Sequence, residues 1–206
     1  MGKDYHIRAH FQKHDPVLFS IIASEPIDLI VPQSPSTYFV SLCRTIIGQQ
    51  LSTTVAEVIF LRFEALFHSK VVTPNAVLDI SDEELRRIGL SGAKVRFVKD
   101  AAEKVIGGEV DVSSLTYLSD GDVMKKLITI KGVGSWTAEM FCMFALGRED
   151  VFSFGDLGLK RAIQKLYALK KEPSEYTMKR LTKAWKPYRT YAAFALWSYL
   201  DTSKIR

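Results

Sequence analysis

Apolar residues recur at helical spacing in one segment after another of this chain, and this periodicity constrains its fold more than any other feature. No segment of the middle and C-terminal region shows the sustained two-residue alternation that is typical of a strand. The sequence therefore predicts an all-α protein, in which only residues 27–31 could be extended. The predicted helices cover residues 38–67, 81–88, 93–106, 119–128, 135–146, 157–169 and 188–200, and one more begins at Ser174.

A polar joint interrupts the first and longest of these helical stretches. Residues 48–52 read Gly-Gln-Gln-Leu-Ser, and Ser52 is a residue type that caps helix N-termini. Two helices with a short polar connection are therefore predicted instead of one long helix. A second signal, the Ser-x-x-Glu spacing from Ser81 to Glu84, has the form of a capping box and predicts the start of the helix over 81–88.

Length and composition exclude several classes of protein. The chain has 206 residues, of which 47% are hydrophobic and 25% charged, unlike a disordered, collagen-like or disulfide-stapled chain. No apolar run approaches the roughly 20 residues that span a bilayer, and residues 1–14 lack the apolar region of a secretory signal. The two cysteines, Cys43 and Cys142, cannot supply a four-cysteine iron–sulfur site. We expect buried, reduced thiols and a cytoplasmic protein, associated with the nucleoid in a bacterial or archaeal host.

Charge is distributed unevenly along the chain. Residues 1–155 carry a net charge of −3, whereas residues 156–206 carry a net charge of +8. A basic C-terminal quarter favours a polyanionic partner such as a nucleic acid. A solvated, lysine-rich helix face produces the same pattern, so charge alone does not decide between the two interpretations.

The most informative segment is a sharp turn between two predicted helices, Ile-Lys-Gly-Val-Gly at residues 130–134. Its two glycines allow the backbone to turn tightly and another backbone to approach closely. The N–H groups that begin the next helix carry a partial positive charge, which suits a phosphate oxygen. Such a contact holds a nucleic-acid backbone without reading its bases. A lone Gly-x-Gly usually marks only a tight turn, so the interpretation depends on the longer pattern around it.

That longer pattern, Leu-Ile-Thr-Ile-Lys-Gly-Val-Gly-Ser-Trp-Thr-Ala at residues 127–138, resembles the helix–hairpin–helix DNA-binding motif. The aspartate in Val-Phe-Ser-Phe-Gly-Asp-Leu-Gly, residues 151–158, follows as it does in the glycosylase superfamily that shares this hairpin. Residues 46–52 and 185–192 are similar to the 3-methyladenine DNA glycosylase II family. The chain departs from the larger bacterial members, because it has no room for their N-terminal β-rich domain. It also lacks the cysteine cluster of the iron–sulfur branch.

The resemblance implies a helix–hairpin–helix glycosylase fold with two helical subdomains that flank a DNA-binding cleft. Residues 36–146 would form a helical barrel ending in the hairpin, and residues 1–35 plus 147–206 a discontinuous second subdomain. The implied function is hydrolysis of the N-glycosidic bond of alkylated purines, of the 3-methyladenine type, in duplex DNA by a monomeric base excision repair enzyme. A monofunctional glycosylase for other damaged or mismatched bases and a non-catalytic helix–hairpin–helix DNA-binding protein are the alternatives.

Within this resemblance Asp156 has the catalytic role. Its carboxylate would stabilise the positive charge that develops on the sugar, and it would orient or deprotonate the attacking water. An aspartate at a helix start also caps N–H groups, and the two roles are compatible. Trp136 stands where the bifunctional branch has a lysine that forms a Schiff base, so a hydrolase without lyase activity is implied.

The base pocket is assigned to Trp136, Trp197 and Met140. An indole face attracts a cationic purine by about 0.5–2 kcal/mol. Core packing within an apolar helix is the alternative interpretation for both tryptophans.

The remaining candidates would hold the DNA backbone or fill the duplex. Gln50 or Leu51 would occupy the gap left by a flipped base, whose extrusion costs a few kcal/mol; for Gln50 the alternative is capping of helix ends. Lys94 would meet a phosphate or lie in solvent. The hairpin would contribute DNA contacts from Lys131, Gly132, Gly134, Ser135 and Thr137. No cofactor is expected to be required, although a structural monovalent cation could bind the main-chain carbonyls of Ile128, Ile130 and Val133.

Overall fold

The computed structural model describes residues 2–24 and 26–202. Within these ranges the chain forms α-helices joined by turns and contains no β-strand, which confirms the predicted all-α class. Residues 27–31 are irregular. The helices are α1 (Lys3–His14), α2 (Pro16–Ile22), α3 (Tyr38–Gly48), α4 (Thr53–Glu64), α5 (Pro74–Asp79), α6 (Asp82–Arg87), α7 (Gly92–Ile106), α8 (Asp120–Leu127), α9 (Ser135–Phe144), α10 (Leu157–Leu166), α11 (Glu175–Thr182) and α12 (Arg189–Thr202). Short 3₁₀ turns lie at Pro35–Thr37, His68–Lys70, Val112–Tyr117 and Lys183–Trp185.

The chain divides into two compact units. The central unit is Pro32–Leu146, and the terminal unit combines Met1–Val31 with Gly147–Arg206. The first division lies slightly before the predicted one at residues 35 and 36. Gln33 belongs to the central unit because its backbone N–H donates to the Ala145 carbonyl at 2.9 Å and its side-chain amide donates to the Phe144 carbonyl at 3.0 Å.

The core of the central unit is built from apolar faces of α3, α7 and α9. Leu42, Ile46 and Ile47 of α3 are completely buried, at the spacing that places them on one side of a helix. Each such side chain contributes about 1.5–3 kcal/mol when it is withdrawn from water. Cys43 and Cys142 are buried in the same core and neither forms a disulfide. Burial raises the pKa of the Cys43 thiol, which keeps it protonated at neutral pH.

Helix starts in the central unit follow the predicted capping residues. The hydroxyl oxygen of Ser52 accepts the Val55 N–H at 3.4 Å, so α4 begins after a joint at residues 49–52. Ser81 and Glu84 form the predicted capping box at the start of α6. The two-helix interpretation of residues 38–67 is therefore confirmed.

The terminal unit is held by a buried carboxylate, Asp15, that joins both parts of the chain. Asp15 accepts hydrogen bonds from the backbone N–H of Leu18 at 3.0 Å and from the indole N–H of Trp185 at 2.7 Å. It also accepts the phenol O–H of Tyr167 at 2.5 Å. Within the described ranges, no helix is both long enough and apolar enough to cross a membrane.

Candidate functional site

The predicted hairpin is present between α8 and α9 and depends on Gly132. Gly132 has a φ of +76°, and a Cβ atom at this position would lie 2.1 Å from the Phe97 ring. Both conditions exclude a side chain. Gly134 is the N-cap residue of α9 and provides no side-chain acceptor for the first-turn N–H groups. Because helix starts leave such groups to be satisfied by other partners, a phosphate oxygen suits this place.

Two hairpin residues have contacts that the sequence did not indicate. Lys131 is exposed, but its ammonium lies 2.9 Å from an oxygen of the Asp100 carboxylate, so its charge already has a partner in the protein. Thr137 is only 3% exposed and its hydroxyl oxygen accepts the Gln49 amide at 2.9 Å. The Thr137 side chain therefore faces the protein, and a DNA contact by Thr137 stays a prediction. Ser135, like Gly132 and Gly134, is exposed as a DNA contact requires.

One side of α7 supports both the hairpin and the joint between α3 and α4. Lys94 donates from its ammonium to the carbonyls of Ile47 at 2.7 Å and Gln49 at 2.8 Å. These bonds place Lys94 at the C-terminal end of α3 and on its C-cap residue, and burial lowers the pKa of its ammonium. The sequence indicated neither carbonyl partner, and a phosphate contact by Lys94 stays a prediction. Asp100, which is 6% exposed, accepts the backbone N–H of Lys131 at 2.8 Å.

The joint itself is a hydrogen-bonded turn that presents the two candidate plug residues. The Leu51 N–H donates to the Gly48 carbonyl at 3.2 Å, with Gln49 at φ −52°, ψ 132° and Gln50 at φ +58°. These angles are those of a type II turn, which favours glycine where Gln50 stands. A non-glycine residue in this conformation is an outlier of the kind found at functional sites. Gln50 and Leu51 are both exposed.

Asp156 is the N-cap of α10, and its carboxylate has a defined orientation. Its Oδ1 atom accepts the backbone N–H of Leu159 at 2.7 Å, so the capping role is confirmed. The same oxygen accepts the indole N–H of Trp197 at 3.2 Å. The helix start favours a negative charge at this place. The arrangement thus provides a fixed carboxylate that can stabilise a nearby positive charge.

Trp197 is half-buried and combines two contacts. Its ring stacks on Phe194 with centroids 6.0 Å apart, while its N–H is directed to Asp156. Gly158 completes this group, because a Cβ there would lie 3.0 Å from Oδ1 of Asp156 and 3.4 Å from the Trp197 ring. Trp197 therefore also orients the Asp156 carboxylate, in addition to the packing that its apolar helix suggests. Base stacking by its face stays a prediction.

The other two base-pocket candidates lie on α9 of the central unit. Trp136 is 36% exposed, whereas Met140 is 5% exposed and packs in the core. Trp136 thus offers a surface for stacking, and a pocket role for Met140 stays a prediction.

The Ile130 carbonyl, one of the three assigned to the predicted cation, is compatible with that role. The Ile130 carbonyl accepts the Val133 N–H at 3.0 Å and has a second lone pair with which to bind an ion. Across residues 2–24 and 26–202, no group of three or more His, Cys, Asp or Glu side chains could hold a metal. The cation and the expected independence from cofactors both stay predictions.

The family of the chain is decided by a match over most of its length. The model of the family described as "HhH-GPD superfamily base excision DNA repair protein" matches residues 43–187, which include the joint, the hairpin and Asp156. The chain belongs to the HhH-GPD superfamily. The resemblance drawn from the four sequence stretches is thereby confirmed.

Named relatives place this HhH-GPD protein among the 3-methyladenine glycosylases. It is 31% identical to the putative DNA-3-methyladenine glycosylase YfjP of Bacillus subtilis, covering 95% of this chain and 69% of the relative. It is 33% identical to DNA-3-methyladenine glycosylase 1 of Schizosaccharomyces pombe, with 80% and 72% covered. The crystal structure of a DNA-3-methyladenine glycosidase from Bacillus halodurans has a TM-score of 0.82 at 34% identity, with 100% and 92% covered. The S. pombe glycosylase Mag1 in complex with abasic DNA also has a TM-score of 0.82, at 28% identity over 97% of both chains.

Several residues that shape this HhH-GPD site were not anticipated from the sequence. The sequence assigns a role to the neighbours of Gln49 but not to Gln49 itself, and Asp100 and Phe97 lie about thirty positions before the turn that they support. The repeat of Lys94, Phe97 and Asp100 at three-residue intervals was a usable signal, because such residues share one side of a helix. No sequence signal marked Gly158. A glycine is needed there because space beside Asp156 is short, and not because of the backbone conformation.

Proposed function

We propose that the protein is a monofunctional DNA-3-methyladenine glycosylase of type II, which hydrolyses the N-glycosidic bond of alkylated purines in duplex DNA. The observation that carries the proposal is the carboxylate of Asp156, oriented by the α10 N-terminus and by the Trp197 indole. The names of the relatives support the substrate class, and the S. pombe complex with abasic DNA supports DNA as the partner.

In this mechanism water adds to the C1′ carbon of the sugar while the bond from C1′ to the base nitrogen breaks. The electron pair of that bond leaves with the base, and a proton leaves the water. Because positive charge develops on the sugar as the base departs, a fixed carboxylate lowers the barrier. Asp156 acts as that carboxylate, and it either orients the water or accepts its proton. An alkylated purine is a good leaving group because it already carries positive charge.

The absence of strand cleavage belongs to the same proposal. A lyase needs an amine that attacks the sugar and forms a Schiff base. In the bifunctional branch a lysine stands at the position of Trp136, and an indole cannot perform this attack. The product is therefore an intact strand that bears an abasic site.

The DNA contacts of the proposal come from the central unit. The α9 N-terminus at Gly134 and Ser135 binds a phosphate, and Gln50 or Leu51 fills the duplex where the base has left. We propose that the enzyme acts as a monomer in the cytoplasm, on the nucleoid in a bacterial or archaeal host. A monovalent cation at the hairpin carbonyls would serve structure only.

Two assays test this proposal. In the first, the purified chain is incubated with methylated duplex DNA, and released bases are separated by chromatography; 3-methyladenine is expected. In the second, an alkylated oligonucleotide duplex is analysed with and without hot alkali after enzyme treatment. Strand breaks are expected only after alkali, and borohydride should trap no covalent adduct. Breaks without alkali together with a trapped adduct would show that a lysine acts as nucleophile. Release of other bases alone would exclude the substrate class.

A further inference from the structure

The joint and the hairpin, the two segments proposed to hold DNA, share one support in the central unit. Lys94 holds the joint through the carbonyls of Ile47 and Gln49. Phe97, one turn later on α7, fills the space against Gly132, and Asp100 follows with its bond to the hairpin backbone. One side of a single helix therefore fixes two loops that are more than 80 residues apart in sequence.

Gln49 joins the two loops directly. Its side-chain amide nitrogen donates to the Gly132 carbonyl at 2.9 Å and to the Thr137 hydroxyl oxygen at 2.9 Å. One donor group thus contacts the turn of the hairpin and the first turn of α9. The backbone carbonyl of the same residue accepts the Lys94 ammonium. A movement of the joint relative to the hairpin breaks these bonds and leaves the buried Thr137 hydroxyl without this donor, which is costly.

We propose that Gln49 is a positioning residue that couples the joint to the hairpin, so that insertion of the plug and binding of the phosphate strengthen each other. The inference rests on the proposed function, because that function assigns DNA contacts to both loops. Coupling of this kind is reciprocal. A plug variant must therefore change the factor by which a hairpin variant weakens DNA binding. A hairpin variant must change the effect of the plug variant by the same factor. Removal of the Gln49 amide should make the two losses independent.

The test is a double-mutant cycle of DNA affinity. Plug contacts are removed by Gln50→Ala combined with Leu51→Ala. The hairpin is changed by Gly134→Ala, whose added Cβ meets no protein atom within 4 Å but stands where the phosphate is expected. Dissociation constants are measured on a duplex with an abasic-site analogue for the wild type, each variant and the combination. In otherwise wild-type protein the combined loss should differ from the product of the separate losses by about fivefold or more.

The same cycle is repeated in a Gln49→Leu background and in a Gln164→Leu background. Gln164→Leu is the matched control, because Gln164 is a half-buried glutamine of the terminal unit whose amide meets the Leu169 carbonyl only at 3.5 Å. The coupling should fall below about twofold with Gln49→Leu and be unchanged with Gln164→Leu. Gln49→Glu serves as a second variant if Gln49→Leu fails to fold, and it should lose the coupling because a carboxylate has no proton for the Gly132 carbonyl.

The two proposals fail in different ways in these measurements. Equal coupling in the wild-type and Gln49→Leu backgrounds, or independent losses in the wild type, would overturn the role of Gln49 while the wild-type enzyme still released 3-methyladenine. Wild-type protein that neither bound the abasic duplex nor released methylated bases would overturn the proposed function, and this inference with it.

Discussion

A single oxygen atom of Asp156 receives two donors, and this fixes the carboxylate before any substrate arrives. The Leu159 N–H approaches Oδ1 along the start of α10, and the Trp197 indole N–H approaches it from α12. Hydrogen bonds to a charged group contribute about 1.5–3 kcal/mol each. An acid held in this way needs no reorganisation when charge develops on the sugar, which is the condition for effective electrostatic stabilisation.

Asp156→Asn should nearly abolish base release while leaving DNA affinity almost unchanged. The asparagine oxygen still accepts from Leu159 and Trp197, so shape and cap are retained, but the negative charge is lost. We expect the single-turnover rate on methylated DNA to fall by about 100-fold or more. The matching affinity measurement uses the duplex with an abasic-site analogue. A variant that releases methylated purines at a near-normal rate would reduce Asp156 to a helix cap.

Gly158→Ala tests the space around the same carboxylate. The new Cβ would lie 3.0 Å from Oδ1 of Asp156 and 3.4 Å from the Trp197 ring, so the Asp156 carboxylate would have to move by a few tenths of an ångström. We expect the base-release rate to fall by about tenfold, since small displacements of a positioned group have large kinetic effects. Gly155→Ala is the control, because its Cβ meets nothing within 4 Å. Equal rates for the two variants would show that the carboxylate tolerates this displacement.

At the scale of helices and turns, the hairpin depends on the carboxylate of Asp100. Burial opposes the ionisation of Asp100, but hydrogen bonds from the backbone N–H and the ammonium of Lys131 outweigh this effect and lower the pKa of its carboxyl below the usual range. A lowered pKa in the folded protein means that the ionised form stabilises the fold. This stabilisation is complete above the unfolded-state pKa of about 3.9 and is lost as the pH falls through the lower folded-state value.

Asp100→Asn should therefore destabilise the protein at neutral pH and much less in acid. At pH 7 we expect the free energy of unfolding to fall by about 1–3 kcal/mol, the cost of weakening a buried charged hydrogen bond. Urea unfolding at pH 7 and pH 3 measures the difference between wild type and variant, which should shrink at the lower pH. Asp79→Asn, at an exposed position on α5, provides the control. A difference that is the same at both pH values would contradict the assigned role of Asp100.

Helix starts could be predicted from the sequence much better than helix ends. Ser52 and Ser81 cap α4 and α6 as expected, because a serine before an apolar-periodic run has a local physical reason. The end of α10 was predicted at residue 169, but the helix stops at Leu166. Ala168 has a φ of +49°, a conformation that its residue type does not indicate.

In the candidate site, some residues could be predicted from local patterns, whereas contacts between distant parts of the chain could not. Asp156 and the hairpin glycines could be found because capping, tight turns and the family resemblance all concern short stretches of chain. The hydrogen bond from Trp197 to Asp156 spans 41 positions, and those from Gln49 span 83 and 88. Such bonds depend on how helices pack, and no local pattern specifies them. The carbonyl partners of Lys94 are contacts of this kind, which is why the sequence did not indicate them.

At the scale of the whole molecule, the terminal unit depends on Asp15 to join its separate segments. Asp15 lies between α1 and α2, whereas its donors Tyr167 and Trp185 come from the other end of the chain. Burial, and then the hydrogen bond to Asp15, raises the pKa of the Tyr167 phenol, so this donor keeps its proton at neutral pH. Each donor offsets part of the cost of burying the Asp15 carboxylate, so the loss of any one of them destabilises the terminal unit.

Asp15→Ala should weaken the terminal unit strongly. The change leaves the Trp185 N–H and the Tyr167 O–H without this acceptor, and we expect a loss of about 3 kcal/mol or more in the free energy of unfolding. Tyr167→Phe is the graded comparison, since it removes one of the donors to the carboxylate and should cost about 1.5–3 kcal/mol. Chemical denaturation followed by tryptophan fluorescence measures both. A loss for Asp15→Ala no greater than that for Tyr167→Phe would mean that the other bonds to Asp15 contribute little.

The discontinuous terminal unit has a consequence for synthesis on the ribosome. Residues 32–146 form one uninterrupted stretch, so all of the central unit can leave the exit tunnel before the second part of the terminal unit has emerged. Translation at about 5–20 residues per second leaves α1 and α2 waiting for several seconds until residues 147–206 follow. During that interval Ile7, Phe11 and Leu18, which are buried in the finished fold, lack the helices of residues 147–206 that pack against α1 and α2. The nascent chain should therefore present the apolar side chains of α1 and α2 to chaperones until residues 147–206 emerge.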